Sequence, residues 1–83
     1  MDARPLVRAI VGALLLLENS PSDELDPDVA VRGMEHIAQE LLQLSIEDRR
    51  EFSALLEEEA VRSEDPHYAE FLRALPFMVG MAE

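Results

Sequence analysis

Apolar residues recur along this chain with a helical period in four separate stretches. No stretch alternates them with polar residues in the two-residue rhythm of a half-buried strand. The pattern predicts an all-α fold, a small antiparallel bundle of about four helices forming one unit over residues 1–83. Its first helix starts behind Asp2, carries Pro5 in its first turn, and runs to about Glu18, where Asn19, Ser20 and Pro21 stop it. At about 100° per residue, the apolar side chains of that helix cover nearly the whole circumference, and only Arg8 and Gly12 mark a narrow strip without them. Such a helix needs cover on most sides. Either its neighbours wrap it as the centre of the bundle, or part of it, with Val11 and Leu15, forms an apolar seam for another chain.

An Asp-Pro pair, Asp26-Pro27, supplies a cap and a first helical residue for the second helix, with Asp28 in the first turn where the helix dipole favours an acid. From there to Leu44, Ala30, Val31, Met34, Ile37, Ala38, Leu41, Leu42 and Leu44 share one half of the wheel, opposite Arg32, Glu35, His36, Gln39, Glu40 and Gln43. Ser45 opens S-I-E-D, a capping box with aspartate in the usual glutamate position, and a third helix follows from about Ile46 to Arg62. Ile46, Phe52, Leu55, Leu56 and Ala60 form its inner stripe. Arg49 and Glu59 project into the same sector, as side chains flanking the stripe or as a polar contact. Asp65-Pro66 starts a fourth helix bearing Tyr68, Phe71, Leu72 and Leu75, which Pro76 breaks or restarts. The apolar tail from Phe77 to Ala82 packs back on the bundle or, through Phe77 and Met78, onto another chain.

Composition limits how well such a bundle closes. A hydrophobic content of 48% suffices for folding, but 83 residues bury only about 60–65% of the unfolded surface and leave roughly 5,000 Å² exposed. The core is thin. Eighteen acids against seven bases give a net charge of −11, a field that repels nucleic acid and anionic membranes and favours a basic protein partner. All seven bases are arginine, a bias that matches the codon usage of a GC-rich bacterial genome and excludes lysine chemistry. Cysteine is absent, which excludes disulfides and thiolate catalysis and fits a cytoplasmic setting. The opening residues read as a helix rather than a secretory leader, because Asp2 sits among the basic residues and Glu18, Asn19 and Pro21 occupy the cleavage region.

Catalytic or metal chemistry finds little support. His36 and Glu40 are four residues apart on one helix face, a spacing that suits two metal ligands, but no second histidine joins them. The acids from Asp23 to Asp28 lack the glycine and the terminal glutamate of a calcium loop. No serine sits in a glycine-framed elbow, and the three glycines are scattered. The chain therefore reads as a non-enzyme without cofactor or metal.

The acids fall into two concentrations. Five lie between Glu18 and Asp28 with no base among them, and eight lie between Glu47 and Asp65 with three arginines. Asp23, Glu24, Asp26, Asp28, Glu47, Glu51 and Glu58 are the candidate partner-binding residues, facing bases of a protein partner. The stretch LDPDVAVRGMEHIAQELLQLSIEDRREFSALL, Leu25 to Leu56, resembles small acidic helical bacterial proteins of the immunity type, which neutralise toxins. That resemblance implies a stoichiometric inhibitor of a basic toxin or nuclease. The alternative is an assembly module, with a homodimer formed through the apolar first helix and the tail.

Overall fold

The computed structural model describes residues 1–81. Four helices, α1 (Arg4–Asn19), α2 (Pro27–Leu41), α3 (Ile46–Arg62) and α4 (Pro66–Met78), form a small all-α bundle, and among the described residues there is no strand. Three caps work as the sequence predicts. The Asp26 carboxylate accepts the Asp28 N–H at 2.8 Å, Ser45 Oγ accepts the Asp48 N–H at 3.1 Å, and Asp65 accepts the His67 N–H at 2.9 Å. At α1 the Asp2 carboxylate acts one residue outside the formal cap and accepts the Arg4 N–H at 3.0 Å.

Principal contacts run in the order α2, α1, α3, α4, so α2 lies against α1 rather than against α3, its successor in the chain. The core gathers Val7, Val11 and Leu14 from α1, Phe52, Leu56 and Ala60 from α3, and Ala69, Leu72 and Leu75 from α4, with Val79 beyond the last helix. From α2 only Leu41 is buried. The rest of its apolar face, Met34, Ile37 and Ala38, is half-covered, and Val31 is exposed. One close approach holds α2 to α1, where a side chain on Gly33 would come within 3.0 Å of Leu17.

Three expectations about the core and the helix ends need correction. Val11 is 1% exposed and belongs to the core, so it is no part of an outer seam. An all-round apolar helix gives no sequence signal for which face is buried, and here the rows through Val7, Val11 and Leu14 turn inward while Leu6 and Leu16 face solvent. Ile46 lies about 120° around α3 from Phe52, at the edge of the buried sector, and is exposed. Helix α2 ends at Leu41 instead of Leu44, and its last turn tightens through Gln43 N–H to Glu40 O and Leu44 N–H to Leu41 O, both at 3.1 Å.

Pro76 does not break α4, which continues to Met78. Its missing N–H falls in the last turn, where little helix remains to be disrupted, and its ring is buried beside Leu72, Leu75 and Val79. The chain then closes in a Schellman motif: Met81 N–H donates to Pro76 O at 2.8 Å and Gly80 N–H to Phe77 O at 3.2 Å, with Gly80 at φ +81°. Val79 is buried and Met81 packs against the core, so the tail folds back on the bundle. Ala82 lies outside the described residues.

The exposed surface is 5766 Å², above the roughly 5,000 Å² of a well-closed fold of this mass. The radius of gyration, 12.9 Å, also exceeds the about 12 Å expected for this length. Both excesses reflect incompletely covered helices. In chemical denaturation, Leu72→Ala at the fully buried centre is expected to cost about 2–5 kcal/mol. Gly80→Ala costs about 1–2 kcal/mol from the left-handed backbone, whereas Leu16→Ala, on an exposed face, stays within about 0.5 kcal/mol.

Candidate protein-docking surface

The acids divide according to whether an arginine already holds them. Between α1 and α2, the N–H groups of Glu24 and Leu25 both donate to Pro21 O at 3.0 Å, closing a turn that presents Asp23 and Glu24 to solvent. Asp28 follows on the first turn of α2, also exposed. Among the described residues, Asp23, Glu24, Asp26 and Asp28 make no ion pair, although the Asp26 carboxylate is engaged as the α2 cap. Glu47, Asp48 and Glu51, on the first half of α3, likewise have no arginine within 4.0 Å. Arg50 is exposed on the same half and partly offsets their charge.

The second half of α3 behaves differently. Glu57 binds Arg73 of α4 at 3.1 Å, Glu59 binds Arg8 of α1 at 2.8 Å, and Glu58 sits between Arg4 of α1 at 3.3 Å and Arg62 at 3.1 Å. Glu58, expected to face a partner, is instead engaged by two arginines of the chain itself, one of them shared with Asp2, and so acts as a strut between α1 and α3. Glu59 and Glu57 hold the guanidinium groups of Arg8 and Arg73 above the ordinary arginine range, through side-chain hydrogen bonds first and charge second. The Arg4 Nε–H is buried without a partner, which offsets part of what its two ion pairs contribute.

Arg49 and Glu59, both expected near the inner stripe of α3, do not meet. The Arg49 guanidinium donates to the carbonyls of Leu42 and, at 3.1 Å, Leu44, closing off the open end of α2. These bonds, reached from the next helix, hold the turn that follows α2.

Two apolar depressions open beside these charges. The larger, about 490 Å³, lies between α1, the end of α2 and α3; Leu6, Ile10, Leu44 and Leu55 line it, and Asp48 and Glu51 stand on its rim. The smaller, about 230 Å³, lies between α2 and the end of α4, where Val31, Met34, Met78 and Val79 meet Glu35. Phe77 and Met78, expected to be available to another chain, are 59% and 43% exposed. Leu15 is half-buried in a shallow depression with Tyr68 and Phe71. Reasoning from sequence missed Leu6, Ile10, Leu44 and Leu55 as a set. The only signal was the excess apolar circumference of α1.

Among the described residues no three His, Asp or Glu side chains converge to hold a metal ion, and no helix is long and apolar enough to cross a membrane. No protein-family model, curated protein or solved structure matches the chain.

The division of the acids is testable by stability. Glu58→Gln is expected to lower the thermal midpoint more than Glu47→Gln in dilute buffer. The gap should close near 1 M salt, where charges are screened beyond about 3 Å. Equal midpoints in dilute buffer would remove Glu58 as a strut.

Proposed function

We propose that this chain is a non-enzymatic protein-binding module that captures a basic protein through its acidic surface, in the manner of an immunity-type inhibitor of a basic toxin or nuclease. One observation carries the reading: the ion-paired arginines are spent on Asp2 and Glu57 to Glu59. The other described acids, on every helix, have no arginine within 4.0 Å, and the turn from Asp23 to Asp28 and the start of α3 at Glu47 and Glu51 are the two places where they lie most densely in the sequence. An uncompensated negative surface speeds encounter with a positive one and disfavours like-charged partners. The resemblance of Leu25 to Leu56 to immunity-type proteins supports the narrower role of inhibitor.

A second reading, assembly of copies of this chain, is favoured by the exposed Phe77 and Met78 beside an apolar cleft. The two respond oppositely to salt. Screening weakens capture of a basic partner and relieves repulsion between copies that each carry −11.

The test uses a basic protein captured at about 50 mM salt and released at about 500 mM, conditions of weak and strong screening. Reversing Asp23, Glu24 and Asp28 to arginine, with Asp26 kept as the helix cap, is expected to slow its association about tenfold or more at low salt. An unchanged rate excludes the turn from the binding surface. Sedimentation that shows a dimer persisting at high salt and lost in Phe77→Asp would establish the assembly reading instead.

A further inference from the structure

We infer that the groove between α1, the end of α2 and α3 seats one amphipathic helix of a basic partner. Apolar side chains of that helix lie on Leu6, Ile10, Leu44 and Leu55, and its lysines or arginines meet Asp48 and Glu51. The inference rests on the basic-partner reading and adds an apolar anchor to it.

Shape and lining supply the first argument. About 490 Å³ lies open to solvent between the helices, room for several apolar side chains of an approaching element. Leu6 is 50% exposed, while Ile10, Leu44 and Leu55 are half-buried against the core, so apolar surface remains to be covered. A row of apolar anchors spaced along a helix is the form that fits between helices.

Backbone chemistry selects a helix over an extended segment. The walls are helices whose backbone groups are bonded internally, and the described residues offer no sheet edge. An extended occupant would bury peptide groups with no partner here, whereas a helix brings its own hydrogen bonds.

Charge selects the sign of the occupant. Asp48 and Glu51 are three residues apart on α3 and so share one side of the groove, exposed and without an arginine within 4.0 Å. A second copy of this chain would bring another −11 to that rim. A cationic helix forms charge-assisted hydrogen bonds there instead.

The probe is a synthetic amphipathic leucine/lysine helix, compared with the same helix carrying glutamate for lysine, titrated at about 50 mM salt against methyl-labelled protein. The leucine/lysine helix is expected to shift the methyl signals of Leu6, Ile10, Leu44 and Leu55 saturably, and the glutamate version to leave them in place. Leu6→Asp should weaken binding about tenfold or more, and the pair Asp48→Asn and Glu51→Gln severalfold. All three positions are exposed, and unchanged Leu72 and Leu75 methyl signals verify that the variants fold. A response confined to the turn at Asp23 to Asp28 or to the cleft at Met78, an equal response to both peptides, or no response overturns the groove assignment. None of these outcomes sinks the basic-partner reading, which is judged by the association rate of the turn variants. Conversely, an unchanged rate in those variants together with saturable groove shifts would remove the turn and leave the groove.

Discussion

The apolar contact between α1 and α3 is the one through which the other helices are held. Helix α2 reaches the bundle chiefly by lying on α1, and α4 chiefly by lying on α3, so each outer helix depends on the central pair. Val11, Leu14 and Leu56 in that pair are almost completely buried, and each such side chain contributes about 1.5–3 kcal/mol relative to an exposed one. The arrangement is also what leaves the molecule open. With only partial cover from α2 and α4, α1 and α3 are not fully wrapped, and part of the apolar surplus of α1 becomes the wall of a groove instead of core.

Electrostatics follows the same division. The three consecutive glutamates Glu57, Glu58 and Glu59 point in three directions around α3, and each meets an arginine of a different set: Arg73 of α4, Arg4 and Arg62, and Arg8 of α1. Like charges packed this closely repel, and the arginines convert that repulsion into contacts that tie the central pair to each other and to α4. Exposed ion pairs contribute little one by one. Their larger consequence is where they leave the remaining charge, since the acids elsewhere, densest in the turn before α2 and at the start of α3, have no such counterpart.

Much of the fold was legible in the sequence because helix starts are local events. Asp26-Pro27, Ser45 and Asp65-Pro66 each act within three residues, and the helices begin where they indicate. Two helix ends, at Asn19 and Arg62, also fall within a residue of their expected places. Those of α2 and α4 do not: α2 gives way at Leu41 to a tight turn that Arg49 bonds, and α4 continues through Pro76, whose ring is buried, to the Gly80 closure. The candidate site was half legible. Asp23, Glu24, Glu47 and Glu51 are exposed as composition suggested, but whether Glu58 or Glu51 keeps its charge depends on how α3 is rotated against α1, which periodicity does not report. Val11 was misplaced for the same reason: with no polar stripe on α1, only the position of its neighbours decides which apolar row turns inward.

Weak attachment of α2 connects the fold to the proposed docking. Its end, at Leu41 and the turn through Leu44, forms one wall of the groove, and Leu41 is its one buried side chain, so the rest of its apolar face stays half-covered. A binder built this way offers apolar surface ready to be covered and loses some affinity to the side-chain ordering that binding imposes. Acidic charge at the rim compensates on the kinetic side, because attraction brings a basic partner to the groove before the apolar contacts have formed. The thin core and the high net charge, unfavourable for stability when taken singly, thus become on this reading two parts of one recognition surface.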